Sequence, residues 1–230
     1  MKKYFSIAIM IFAFVAPVSA EVETTVSADV VSSYIWRGLE LGDAALQPTL
    51  GVSAAGFDLS IWGSTGIVNF LDTKELDITL SYSIAGLSVG VTDYWFNAGP
   101  EPYGRYFNYT KDLTNHVFEA FVGYDLDFVS FAWYTNLYGN DFKADGDRAF
   151  SSYFEVSAPF SFGGAEWSAS LGMVPYETDF YGTDGFAVTN LSVTASKEIE
   201  FTDSFSLPVS AGVTVNPSAE TAYFVLSLSF

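Results

Sequence analysis

The residues with the greatest capacity for chemistry in this chain are carboxylates and one arginine set at alternate positions of extended segments. Glu23, Asp29, Asp58, Glu75, Asp77, Glu119, Glu155, Glu166 and Glu198 fall on the polar parity of their segments, with Arg37 and Trp62 on the same parity. If those faces enclose water, acidic walls attract cations and repel anions. The competing reading is that the carboxylates are polar fill, hydrated or paired across strands. Arg37 has the same two readings, a selectivity group among wall acids or a structural partner for one of them, because a buried charge needs a counter-charge.

Other constellations carry less. His116 is the single histidine, so hydrolase chemistry of the Ser-His or Asp-His kind would rest on it alone, and its neighbours Thr114 and Phe118 build no triad spacing. The chain therefore reads as a non-enzyme, with His116 at a rim. Asp141, Asp145 and Asp147 crowd one loop and Glu177, Asp179 and Asp184 the next, but the spacing is not that of an EF-hand, and solvated loop acids are the plainer reading. No phosphate-cradling glycine pattern occurs in a strand-to-helix setting, and no metal or cofactor is expected.

Composition narrows the class. Half of the 230 residues are hydrophobic, 18% are aromatic and only 16% charged, which excludes a disordered chain. A formal charge of −18 excludes a nucleic-acid partner held by phosphate neutralisation. Cysteine is absent, so disulfides and thiolate sites are excluded. Lys2 and Lys3, the apolar run Tyr4 to Val15 and the small residues Val18-Ser19-Ala20 read as a signal peptide over 1–20, cleaved before Glu21.

The elements that must position these residues are strands. From Glu21 onward period-2 alternation recurs. In the first segment Val22, Thr24, Val26, Ala28, Val30, Tyr34 and Trp36 share one parity; in the last, Ala222, Phe224, Leu226, Leu228 and Phe230 do. Further strands are expected near 45–54, 57–65, 73–85, 86–96, 115–124, 127–137, 149–159, 164–174, 186–198 and 203–215. Connections alternate between short and long. The pattern predicts an all-β, up-and-down antiparallel transmembrane barrel of about twelve strands over 21–230, with tight periplasmic turns and longer outer loops. Strands of about ten residues, tilted near 40°, rise roughly 25 Å, the height of a bilayer's apolar band. A secreted β-sandwich is the competitor, with shorter strands. Leu76, Leu80, Phe224 and Leu228 are expected to face lipid, as are Tyr34 and Trp36. The pairs Tyr94/Trp95 and Trp133/Tyr134 read, with Tyr34 and Trp36, as boundary aromatics.

The run Ser33-Tyr34-Ile35-Trp36-Arg37-Gly38, then Gln47-Pro48-Thr49-Leu50-Gly51, then Leu59-Ser60-Ile61-Trp62-Gly63-Ser64, resembles the start of the TorF-type porin family. The resemblance covers about the first quarter of the mature chain and implies a Gram-negative outer-membrane protein with a transport role, but no substrate. The ending Tyr223 to Phe230 looks like the terminal strand read by the barrel-assembly machinery, with Phe230 as its signal residue.

The expectation is thus an outer-membrane, porin-like channel for passive diffusion of small hydrophilic solutes, whose acidic interior favours cations. Its partners would be outer-membrane lipid, the assembly machinery and the solute. A closed structural or surface-interaction barrel is the alternative, and a lipid-modifying enzyme using His116 a remote one. The longest loop, 97–114, carries Arg105 and Lys111 among aromatics and is expected to fold toward the mouth and pair with wall carboxylates.

Overall fold

The computed structural model describes residues 21–230 except 70, 71, 73, 100, 112, 203 and 204. The expected signal peptide, 1–20, lies outside the described residues.

Among the described residues fourteen strands occur in chain order: β1 Glu23–Val31, β2 Tyr34–Trp36, β3 Leu39–Gly42, β4 Ala45–Ala54, β5 Phe57–Gly66, β6 Lys74–Ile84, β7 Leu87–Asn97, β8 His116–Asp125, β9 Ser130–Gly139, β10 Ser152–Phe162, β11 Ala165–Val174, β12 Ala187–Thr202, β13 Phe205–Asn216 and β14 Thr221–Ser229. Twelve of them form a closed, antiparallel, up-and-down barrel, β1 pairing with both β4 and β14; β2 and β3 form a separate two-stranded sheet. Closure leaves no unpaired edge, which an open sheet of this length would have to protect. The terminal residue joins the closure, as Phe230 and Ala28 exchange backbone hydrogen bonds of 3.0 and 3.2 Å.

Alternation decides which face points out. Leu50, Leu59, Ile61, Leu80, Val91, Val122, Phe224 and Leu228 are all exposed, while their sequence neighbours on the other parity line the interior. Leu76, Leu80, Phe224 and Leu228 lie on the outward parity, as expected. The tight connections sit at the end that holds both termini. Two of them, Ala55-Gly56 and Ala85-Gly86, have positive φ at both positions, the type I′ geometry that matches strand twist.

The first segment differs from expectation. The strand predicted to run from Val22 through Trp36 stops at Val31, where Ser32 caps the neighbouring strand by accepting the Leu226 amide on its hydroxyl at 2.9 Å. Residues 32–44 then leave the wall, and β2 and β3 fold back into the lumen as a hairpin. Tyr34 and Trp36 are consequently inside the barrel, not on its outer surface. Alternation falters only at Ser32, a polar residue on the apolar parity, and resumes at Tyr34 and Trp36, so parity carries little sign of the departure. The buried apolar core of the molecule lies here as well: Tyr153, Val174 and Tyr181, with Trp36, Leu39, Tyr134 and Phe180 packed against them.

Candidate functional site

The inserted hairpin turns at Arg37-Gly38, between Trp36 and Leu39, with φ of 50° and 81°. This is again a two-residue turn with both φ positive. A non-glycine residue in that region is strained, so the fold holds Arg37 at a cost that its side chain must offset.

That side chain does so at the far wall. Arg37 Nη1 and Nη2 donate to Glu119 Oε2 and Oε1 at 2.6 and 2.8 Å, a two-point ion pair. The side chains are 8% and 1% exposed. Nη1 also donates to the Tyr181 hydroxyl at 2.5 Å. Burial is the main cause that raises the Tyr181 hydroxyl above the usual phenol range, so it accepts as a neutral phenol. The guanidinium carbon lies 4.4, 4.0 and 4.7 Å from the ring centres of Trp36, Tyr134 and Tyr153, distances at which the ring quadrupole attracts a cation. Glu119 is further held by the Tyr94 hydroxyl at 2.9 Å.

The rest of the hairpin is seated as closely. Tyr34 donates to Glu75 at 2.8 Å, and its ring lies 5.5 Å from Trp62. Trp36 stacks on Tyr181 at 5.8 Å and meets Tyr94 edge-on at 5.9 Å. Asn216 donates to the Gly38 carbonyl at 3.1 Å. A Cβ built at Gly38 would stand 1.8 Å from the Thr189 carbonyl oxygen, so the turn presses on β12 with no room for a side chain. One hairpin thus touches β5, β6, β7, β8, β9, β10, β12 and β13, and fills the lumen in the half away from the tight turns.

The other half is different. Many of its inward positions are small, Ser60, Ser81, Ser88, Ser130, Ser157 and Ser196 among them, with Phe121 as a large exception beside Gly90. Thr194, inward by its register with Ser168 and Gly212, is solvent-exposed. Small side chains in a twelve-stranded barrel leave a water-accessible vestibule.

The structure places the sequence-predicted residues at three levels. Glu75, Asp77 and Glu119 are buried in the plugged half around the hairpin, with half-buried Trp62 beside Tyr34. Glu155 joins them by accepting the Tyr153 hydroxyl at 2.9 Å. Asp29 and Asp58 are half-buried and inward, while Glu23, Glu166 and Glu198 are exposed near the open end. Glu166 accepts from Ser161 at 2.6 Å, and Glu198 from Ser206. Arg37 is a correction in position: it stands at the tip of the hairpin rather than on a wall strand. Tyr94 and Tyr134, read with the boundary aromatics, point inward, as their parity with Thr92 and Asn136 signals. Tyr153 and Tyr181 were missed; Tyr153 shares parity with Glu155, but nothing local marks Tyr181.

The long loop after β7 is the second correction. It lies against the outside of the wall instead of the mouth. Asp93 and His116 sit on the outward parity of β7 and β8, which leaves two polar groups on an apolar surface. The loop covers them: His116 Nδ1 bonds Asp93 at 2.7 Å, its Nε2 bonds the Tyr106 carbonyl at 2.5 Å, and Tyr109 stacks on the ring at 4.1 Å. His116 is fully buried there. Burial and the nearby Asp93 carboxylate push the Tyr109 hydroxyl up, so it donates to Asp93 as a neutral phenol. Arg105 pairs with Glu101 of the same loop at an exposed site, not with a wall carboxylate. Among the described residues no group of three or more His, Asp or Glu is placed to hold a metal ion. Asp141, one of the loop acids, is instead structural, accepting the Ser151 amide and hydroxyl at 2.9 and 2.5 Å.

Together these features define a closed twelve-stranded β-barrel with an apolar outer wall, a polar lumen and an internal hairpin plug. The chain belongs to the family Gcw_chp, described as "Bacterial protein of unknown function", whose model matches residues 16–218. No curated protein matches it.

Proposed function

We propose that this protein is an outer-membrane barrel forming a narrow, cation-favouring channel for small hydrophilic solutes, held closed at rest by the hairpin over β2 and β3. One observation carries the reading: the obstruction is a loop held by non-covalent contacts, above a vestibule lined largely by small polar and acidic side chains. The apolar outer belt is the surface a bilayer requires, the basic and apolar 1–20 segment is what export requires, and the terminal Phe230, outward-facing and exposed, suits recognition during assembly. The likeness of 33–38, 47–51 and 59–64 to TorF-type porins supports the same reading. Glu75, Asp77 and Glu119 surround the plug, and when Arg37 leaves Glu119 with the hairpin the carboxylates there repel anions.

The test is planar-bilayer conductance of the protein beside a variant in which residues 33–43 are replaced by a Gly-Ser turn. The full chain should conduct little. The variant should show larger steps with a cation-selective reversal potential in a salt gradient. No conductance by either, with the variant shown to be folded by its strand signal in circular dichroism, would reject the channel and leave a closed structural barrel; equally large conductance in both would reject the hairpin as its plug.

A further inference from the structure

The pocket that receives Arg37 is built by parts of the chain other than the hairpin. Glu119 of β8 supplies the two-point carboxylate, Tyr134 of β9 and Tyr153 of β10 supply ring faces at 4.0 and 4.7 Å, and Tyr181 supplies a hydroxyl acceptor at 2.5 Å. Only Trp36 comes from the hairpin itself. A planar fork of donors facing a carboxylate, with aromatic rings above it, selects a guanidinium over an ammonium, because an ammonium is a point charge that neither bonds both oxygens in one plane nor stacks. A further acidic group lies inward two residues along β6 from Glu75: Asp77 is 8% exposed, and its Oδ1 is buried without a hydrogen-bond partner. Beside the hairpin a cavity of about 290 Å³ lies between its Tyr34 and Leu41 and the neighbouring Glu75, Phe96, Asn115 and Asn140.

We propose that this wall pocket is a binding site for small guanidinium-bearing solutes, and that Arg37 occupies it as a tethered stand-in. A free guanidinium reaching the pocket replaces Arg37 on Glu119, and the hairpin loses the anchor that opposes the strain at its turn. The proposal rests on the channel reading for its consequence, opening, but not for the site itself. The ligand shifts the hairpin only by the difference between its affinities for the released and seated states, and the seated hairpin leaves the site full. Binding to the released state is therefore favoured.

The experiment reads binding, not current. Ethylguanidinium, the excised head of an arginine, is titrated calorimetrically into the full-length barrel carrying Arg37→Ala, with ethylammonium as control. Saturable binding of ethylguanidinium at least tenfold tighter than ethylammonium is expected, lost in Arg37→Ala/Glu119→Gln and at least tenfold weaker in the unmodified chain, where Arg37 competes. No binding by the folded Arg37→Ala barrel, or equal binding of the two cations, would overturn the site. Should Arg37→Ala fail to fold, the native cage provides the reading. The chain has no cysteine, so Leu39→Cys reports hairpin release by its rate of labelling with a water-soluble thiol reagent. Ethylguanidinium should raise that rate several-fold and ethylammonium should not; an unchanged rate at saturating ethylguanidinium rejects the proposal. Failure of conduction with binding intact would instead remove the channel and leave the site.

Discussion

Arg37 and Glu119 stand 82 residues apart in the chain and meet inside the barrel as a two-point ion pair at 2.6 and 2.8 Å. Because β8 lies five strands from β1 by the shorter way around the ring, this contact ties a loop rooted on one wall to the wall facing it.

Breaking that pair should release the plug. Glu119→Gln leaves a buried guanidinium without its counter-charge, a change that costs about 3–5 kcal/mol where it is measured on one partner of a buried pair. The hairpin can avoid the cost by leaving the lumen, so the expected outcome is faster proteolysis within residues 33–43 and a raised conductance, with the barrel itself intact. The paired change Arg37→Met/Glu119→Leu should recover much of the protection, since neither charge is then buried. Equal protease resistance in Glu119→Gln and the native chain would show that the aromatic contacts alone hold the hairpin.

Gly38→Ala should unseat the same hairpin by a steric route. At φ of 81° an alanine is disfavoured by about 1–2 kcal/mol, and its Cβ would meet the Thr189 carbonyl oxygen at 1.8 Å. Gly146 is the control: its φ is 89°, but nothing lies within 4 Å of its Cβ position. Gly146→Ala should therefore carry only the backbone cost and leave the plug in place. Limited proteolysis of the two variants side by side separates the effects.

The outer strap and the plug should be independent. His116→Ala removes the ring between Tyr109 and Asp93 and leaves a largely buried carboxylate with only the longer bond from Tyr109, a loss of about 1–3 kcal/mol. The 97–115 loop should become protease-sensitive while conductance and cation preference stay as they were. Arg105→Gln should change neither, because an exposed ion pair contributes little. A shift in selectivity in either variant would return the loop to the mouth.

Face assignment can be tested with single cysteines. Leu80→Cys and Leu228→Cys on the outward parity should resist a water-soluble thiol reagent in vesicles, while Thr79→Cys and Ser81→Cys on the inward parity should react through the vestibule. Uniform labelling of both sets would mean that the apolar belt is not in contact with lipid.

Most of the barrel was legible because alternation is a local property. A strand with one face out and one face in writes its register into every second residue, so spans such as 57–65 and 115–124 anticipate β5 and β8 to within a residue, and parity alone puts Glu75, Asp77 and Glu119 on the interior face. Charge type was equally local: an interior of carboxylates with one arginine on the same parity. What the tertiary structure alone decided is where a loop goes once it leaves the wall. Tyr34 and Trp36 resume the outward parity of β1 after Ser32, yet they lie in the lumen. Their seats are supplied by residues remote in the chain, Glu75 at a separation of 41, Tyr181 at 144 from Arg37 and Asn216 at 178 from Gly38. The outer strap follows the same logic, since Asp93 and His116 only become a polar pair on an apolar wall when β7 and β8 are laid side by side. Parity constrains a side chain relative to its own strand; whether a segment stays in the sheet is settled by partners that only closure of the barrel brings within reach.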